Sequence, residues 1–377
     1  MIYRKFKDKD LSLLGFGLMR LPQNEDKTIN EEATAEMVKY AIEHGINYFD
    51  TAYPYHEGMS EVVIGKILKN YPRDSFYLAD KYPGHQTSSS YNPKEIFEEQ
   101  LKKCQVDYFD FYLLHNVTES CIDVYESEKW GIIDYFVEQR KLGRIKHLGF
   151  SSHATPEALK SFVDRHEGVF EFCQIQMNFL DWTLQDAKAK YEYLTSKNIP
   201  VIVMEPLRGG KFWKEASDAF RWLERYENVK VILSGMSNID QMRENVAIFH
   251  AENPLSDLDT NGLYQLADSL KNDVPCTSCH YCDGCPIGLD IPMMMHSCSE
   301  ARFGGGFAVT MRLEMLPEDK LPNACIGCGA CVKKCPQGIN IPEVMKELYG
   351  LWEKMPKWGP ICKEREEAAK RARLQSK

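Results

Sequence analysis

Two apolar periodicities alternate along the first 250 residues. Short runs rich in β-branched and aromatic residues recur at 13–21, 47–50, 75–80, 108–115, 145–151, 172–178, 199–206 and 230–235; SFYLAD, YFDFYLLH and IPVIVMEP are examples. Apolar runs of this length, bounded by turn residues, predict strands buried on both faces. Between them stand segments with apolar residues three and four apart, such as EEATAEMVKYAIEHG, PKEIFEEQLKKC and PEALKSFVDRH. That spacing gathers the apolar side chains on one helix face. Eight strands interleaved with helices predict parallel βαβ units and a (β/α)8 TIM barrel of the α/β class. A doubly wound sheet competes, but no GxGxxG turn follows the first strand, as cofactor binding by that fold would require.

The pattern breaks at AENPLSDL, so residues 1–255 read as the barrel and 256–272 as a linking helix. A small cysteine-rich domain occupies 273–346. The remainder, 347–377, is a tail ending KEREEAAKRARLQSK, predicted as a solvated helix that frays.

A formal net charge of -9 excludes a general nucleic-acid binder and attraction to anionic lipid. No apolar run is long enough to span a membrane, and the N-terminus lacks a signal peptide's apolar core. A cytoplasmic protein is therefore expected. There the 13 cysteines point to metal or redox chemistry rather than disulfides.

Eight of them form two runs. Cys276, Cys279, Cys282 and Cys285 precede Pro286, and Cys325, Cys328, Cys331 and Cys335 precede Pro336. The second run has the C-x2-C-x2-C-x3-C-P spacing of bacterial ferredoxins, so two 4Fe-4S clusters are predicted. In two-cluster ferredoxins the fourth cysteine of each run binds the other cluster. That crossing groups Cys276, Cys279, Cys282 and Cys335, and separately Cys325, Cys328, Cys331 and Cys285. The first run ends with an x2 spacing, which leaves Cys298 as an alternative to Cys285. Both runs continue as C-P-x-G-[LI]-x-I-P, a repeat that predicts two pseudo-symmetric halves. All-thiolate zinc is the competing reading. Cys104, Cys121 and Cys173 fall on core-like segments and read as buried thiols.

Barrel active sites lie at the C-terminal ends of strands. The second strand ends FDTAYPYHEGMSE, the third ADKYP, the fourth LLH and the fifth GFSSH. These loops, in this order, resemble the aldo/keto reductase superfamily over roughly residues 10–250. The branch with a C-terminal ferredoxin-like domain is the nearest likeness. The resemblance implies a catalytic tetrad of Asp50, Tyr55, Lys81 and His115. Reducing a carbonyl by hydride leaves an alkoxide that needs a proton. Tyr55 would supply it, and Lys81, held by Asp50, would lower the phenol's pKa. His115 would orient the carbonyl. Tyr53 is the alternative phenol, and the D-T-A-x-x-Y spacing favours Tyr55.

The resemblance also implies contacts to NADP or NAD. Ser151, Ser152 and Gln174 would hold the nicotinamide carboxamide, and Met204 stands where many members stack an aromatic ring. Glu205, Leu207 and Gly209 belong to the pyrophosphate loop. Ser234, Gly235, Met236, Asn238, Gln241 and Asn245 fall in the adenosine region. Gly235 and Gln241 replace the basic residues usual for a 2′-phosphate, with Arg208 and Arg243 as substitutes.

The expected substrate is a small carbonyl compound or alcohol. Because clusters move single electrons, a second reading adds a flavin, or a ferredoxin or flavoprotein partner, to an electron-transfer oxidoreductase. A non-catalytic iron–sulfur electron carrier is the third. The polar loop GHQTSSSYNP after Lys81 is expected to be a mobile lid.

Overall fold

A computed structural model describes residues 1–375 apart from 87, 120, 209, 211, 252, 272–273, 275, 277–281, 303–305 and 336–338. The chain forms two compact units: Met1–Leu263 together with the chain from Arg365 onward, and Tyr264–Glu364.

The first unit opens with an antiparallel hairpin, β1 (Tyr3–Phe6) and β2 (Lys9–Ser12). Eight parallel strands follow: β3 (Leu14–Gly17), β4 (Tyr48–Asp50), β5 (Tyr77–Tyr82), β6 (Phe109–Val117), β7 (Ile145–Ser152), β8 (Cys173–Gln176), β9 (Val201–Met204) and β10 (Val229–Gly235). They close in sequence order, β10 pairing with β3. Each of the eight predicted runs overlaps one of these strands. The helices on this unit are α1 (Glu31–Glu43), α2 (Met59–Leu68), α3 (Pro93–Cys104), α4 (Ile122–Tyr125), α5 (Ile132–Lys141), α6 (Pro156–Arg165), α7 (Asp181–Leu184), α8 (Ala187–Ser196), α9 (Ala216–Glu224) and α10 (Ile239–His250). Local sequence starts several of them. Asn30, Asn92, Thr155 and Asn238 accept from the backbone three residues on, and Pro93 and Pro156 follow their caps. Such caps satisfy N–H groups that the helix leaves without partners.

The hairpin is not among the predicted strands. Its turn, Lys7-Asp8, lacks the Asn-Gly or Gly signal that marks tight hairpins, and Lys7 takes φ 53° without being glycine. Phe6 packs edge-on to Phe111 and Phe172 among buried Tyr48, Ala79, Ile202 and Val231, so the hairpin plugs the barrel end opposite the strand C-termini.

At that end Glu171 binds His147 Nδ1 at 2.7 Å, Arg140 at 3.1 Å and Lys7. Burial raises its carboxyl pKa, but the bonds and charges of His147 and Lys7 outweigh this and bring it down to about 2. The unfolded value is near ~4.3. The contribution to stability is therefore complete above that value and fades as pH falls through 2. Glu171→Gln is expected to cost about 1 kcal/mol at pH 7, after solvent screening of a half-buried group, and less at pH 3. Equal losses in thermal melts at the two pH values would refute this.

In the second unit, α11 (Asp257–Lys271) leads in from the barrel, and α12 (Ile291–Arg302), α13 (Gly306–Glu314) and α14 (Ile341–Glu353) follow. The Ile-Pro pair that ends each C-P-x-G repeat opens α12 and α14, and these two helices pack together. Met294, Met295, Cys298, Leu313, Met345 and Leu348 form their core. The last helix, α15 (Trp358–Gln375), buries Ala368 and Ala369 and joins the barrel unit from Arg365 onward. The final segment, expected from its charge to be a solvated helix, thus buries two of its alanines. No helix among the described residues is long and apolar enough to cross a membrane.

Candidate functional site

Three strand ends, those of β4, β5 and β6, place the predicted tetrad together. Lys81, near the end of β5, is 1% exposed. Its Nζ donates to Asp50 Oδ1 at 2.5 Å and to the Thr51 carbonyl at 2.7 Å, and lies 3.4 Å from the Tyr55 hydroxyl. The His115 ring stands edge-on to Tyr55 with centroids 5.8 Å apart. Tyr53 points away, toward Glu99 at 3.4 Å with Lys103 over its ring, so Tyr55 is the phenol at the lysine. Strand alternation turns Asp80 to the helix layer, where it is fully buried, with Cys104 Sγ at 3.8 Å. Burial first, then Glu61, raises its carboxyl well above the usual range.

Two local distortions aim the side chains. His56 and Glu57, just after Tyr55, take φ 50° and 55°, a conformation costing about 1–3 kcal/mol per residue. The β6–β7 register shifts between Leu114 and Val117, and Asn116 takes φ 56°. Ser151 Oγ accepts from the Asn116 N–H at 2.7 Å, Ser152 Oγ donates to the Val117 carbonyl at 2.8 Å, and Tyr125 OH donates to the His115 carbonyl at 2.5 Å. Both serine hydroxyls therefore shape the strand end that carries His115.

The electrostatics differ from expectation at the phenol. Burial raises the Tyr55 pKa; Lys81 pulls it down, as expected, but does not win. Tyr55 is thus a protonated phenol at neutral pH. For Lys81, burial lowers the pKa and Asp50 and Tyr55 more than restore it, which keeps an ammonium. Burial raises Asp50, opposed by Lys81 and Gln174. His115 is pushed well below its ordinary value, first by burial, and is neutral.

Next to the tetrad, Gln174 is 2% exposed and its Oε1 accepts no hydrogen bond. A buried amide oxygen of this kind suits an amide N–H, such as a carboxamide's. Met204 and Leu207 are partly buried along the strand-end rim. Glu205 takes φ 54° and lies 3.7 Å from Arg20. Arg208 pairs with buried Asp181 at 3.5 Å, and Arg243 with Asp240 at 3.3 Å. Gly209 lies outside the described residues. After β10, Ser234 Oγ accepts from Asn245 at 2.8 Å, Gly235 abuts the Arg20 side chain, and Met236 is buried. Asn238 caps α10, and Gln241 Oε1 accepts from the Ser237 N–H at 2.8 Å.

The loop after Lys81 is cross-braced rather than loose. Tyr82 OH donates to the Tyr91 carbonyl at 2.7 Å, and Tyr91 OH to the Gln86 carbonyl at 2.5 Å. This loop carries His85, which the motif reading passed over, although a histidine four residues beyond a strand-end lysine is a usable signal.

In the second unit Cys285, Cys325, Cys328 and Cys331 line one cavity with Ile287, Leu289, Ile291 and Met345; Cys282 reaches the same cavity. Thiols set around a cavity with apolar walls suit an iron–sulfur cubane. Gly327 and Gly329 take φ 65° and 70°, the left-handed region that wraps this loop. Cys276, Cys282 and Cys335 pack against the same core, and Cys279 and Pro336 lie outside the described residues.

A closed parallel barrel with a buried lysine between a carboxylate and a phenol defines an oxidoreductase class. Residues 13–219 match the aldo/keto reductase family, and the chain belongs to that family. Residues 275–339 match the 4Fe-4S dicluster domain, so the barrel carries an iron–sulfur module. A probable aldo-keto reductase of Glycine max is 28% identical over 54% of this chain and 58% of its own length. The L-galactose dehydrogenase of Arabidopsis thaliana is 26% identical over 63% of this chain and 84% of its own. The chain thus spans under two thirds of the soybean relative. The holo form of an aldo-keto reductase from Bacillus halodurans superimposes with a TM-score of 0.57 at 25% identity, covering 71% of this chain and 96% of its own.

Proposed function

We propose that the barrel reduces a carbonyl compound, or oxidises the matching alcohol, with NADP or NAD. One observation carries this reading: the Lys81 ammonium bonded to Asp50 lies 3.4 Å from the Tyr55 hydroxyl. Gln174 would hold the carboxamide through its open Oε1. The Glu205–Leu207 backbone and the N-terminus of α10 would take the phosphates, since helix N-termini favour anions. When bound, the nicotinamide supplies or accepts the hydride. Tyr55 OH gives its proton to the developing alkoxide, and Lys81 Nζ stabilises the phenolate left behind. Asp50 keeps Lys81 charged and in place. Neutral His115 offers a ring N–H to the carbonyl oxygen without adding charge. Arg208 and Arg243 are both engaged by carboxylates, which favours NADH over NADPH. Anaerobically purified protein should oxidise NADH with a panel of aldehydes, with a lower KM than for NADPH. Loss of neither nicotinamide with any carbonyl would overturn the reading.

The cavity thiols support one of the crossed ligand sets, Cys285 with Cys325, Cys328 and Cys331, although Cys282 reaches the same cavity; the other cluster would then take Cys276, Cys279, Cys282 and Cys335. A second reading, electron exchange between the clusters and an external carrier, is favoured by the 64% exposed Ile326 and exposed Cys328 at the rim of that cavity. Bleaching of the cluster absorbance by NADH would support it.

A further inference from the structure

Lys81 is held from behind by groups that the proton transfer does not use. The β4–β5 ladder ends at Asp50 and Ala79, short of Lys81. Side chains between β5 and the helix layer take over. The Lys81 N–H donates to Asp80 Oδ1 at 2.8 Å, and Gln100 Nε2 donates to the Lys81 carbonyl at 3.1 Å. Tyr112 OH donates to Gln100 Oε1 at 2.5 Å, which fixes the amide, and Nε2 also donates to Glu61 Oε1 at 3.0 Å. Asp80, Glu61, Gln100 and Tyr112 are all fully buried, and the two carboxyl groups hydrogen-bond each other. Ionised carboxylates only accept, so that bond requires a proton between them. Charge counting agrees. Glu61 and Glu99 share the Lys103 ammonium, at 3.0 and 3.1 Å, and the Lys81 ammonium is taken by Asp50. The cations nearest Asp80 thus already face other carboxylates, and a buried carboxylate without a partner is costly. Cys104 from α3 and Tyr112 from β6 complete the surroundings as a thiol and a phenol; burial first, then Asp80, raises both well above their ordinary values.

We propose that Asp80 and Glu61 share one proton and, with Gln100, are positioning residues for Lys81: they fix the backbone from which its ammonium reaches Tyr55. This rests on the reading of the Tyr55 site as a carbonyl reductase. A protonated Asp80 does what a carboxylate could not. It donates to Glu61 and still accepts the Lys81 N–H. Being neutral, it also leaves the Lys81 ammonium to Asp50 and Tyr55 rather than drawing it back toward the helix layer. Small displacements of a catalytic group cost rate steeply. The clamp touches neither substrate nor nicotinamide, so it acts on kcat and not on binding.

The test compares Asp80→Asn with Asp80→Leu in anaerobically purified full-length protein. Asn copies the protonated acid, with an oxygen for the Lys81 N–H and an NH2 for Glu61; Leu keeps the bulk and strips both. Asp80→Leu should lose about 10-fold or more in kcat for carbonyl reduction with KM unchanged, and Asp80→Asn should restore most of it. Crystal structures should show Lys81 Nζ within hydrogen-bond reach of Tyr55 in Asp80→Asn and displaced in Asp80→Leu. The proton has two readouts of its own. At neutral pH the infrared difference between the parent and Asp80→Asn should contain the carbonyl band of a protonated carboxyl. In thermal melts, linkage sets the sign. Unfolded Asp80 ionises near ~3.9 while folded Asp80 keeps its proton, so the parent loses stability as pH rises above that value. Asp80→Asn lacks this loss, and its melting temperature should gain on the parent's between about pH 4 and pH 8. A missing band, or a melting temperature of Asp80→Asn that falls relative to the parent's as pH rises, overturns the shared proton. An unchanged kcat with an unmoved Lys81 in Asp80→Leu overturns the clamp, and the reductase reading stands. If the parent reduces no carbonyl, yet the band is present and Lys81 moves in Asp80→Leu, the reductase reading falls and the clamp stands. If Asp80→Leu does not fold, the band and the melts of Asp80→Asn still decide.

Discussion

Tyr55→Phe is expected to lower kcat/KM for carbonyl reduction by about 10^2- to 10^4-fold, the usual worth of a positioned general acid. The change removes one oxygen from a half-buried ring and leaves the Lys81–Asp50 pair intact, so melting temperature should barely move. Lys81→Met is a poorer probe. It strands the Asp50 carboxylate in a site 3% exposed, and breaking a buried pair costs about 3–5 kcal/mol. A rate loss there would mix chemistry with unfolding. The pH dependence adds an independent check. Burial raises the Tyr55 phenol above its ordinary value near ~10. Reduction, which needs the protonated phenol, should be flat across neutral pH. Alcohol oxidation, which needs the phenolate, should climb into the alkaline range. Unchanged reduction in Tyr55→Phe, or an oxidation rate that falls as pH rises, would remove Tyr55 from the chemistry.

Cysteine substitutions should show the second largest effects. Two cubanes predict about eight iron and about eight acid-labile sulfide per chain. Cys325→Ser is expected to remove about half of each. Crossed ligation makes the double variants discriminating. Cys285→Ser with Cys325→Ser touches one cluster twice and should still retain about four iron. Cys282→Ser with Cys325→Ser touches both and should retain almost none. If the first pair also empties the protein, each run holds its own cluster. Cys298, buried within α12, should tolerate Ser with full iron content.

Much of the barrel was readable because its strands are buried on both faces. Runs such as Tyr112-Leu113-Leu114 cannot be mistaken for surface, and each ends where a polar residue begins the catalytic rim. The proposed tetrad came from the family resemblance, and its Asp50, Lys81 and His115 are polar residues placed directly on apolar strands. Local signals failed elsewhere. The hairpin turns on Lys7-Asp8, so nothing in its composition announces it. The net effect on the Tyr55 phenol depends on how far the ring is buried, which spacing does not encode; the pull of Lys81 had the expected sign and is outweighed. The final helix looked solvated because KEREEAAKRAR is dense in charge, yet two of its alanines are buried. The loop carrying His85 looked loose from its serines, while Tyr82 and Tyr91, which brace it, read as ordinary aromatics.

The N-terminal plug has a consequence for biosynthesis. Arg4 donates to the carbonyls of Tyr226 at 2.5 Å and Val229 at 2.6 Å, and to that of Glu224. Strand β1 is therefore fastened only after more than 200 further residues have been made, a closure of very high sequence separation. The two cysteine runs follow later in the chain. The cluster ligands are therefore made after the hairpin and all eight barrel strands.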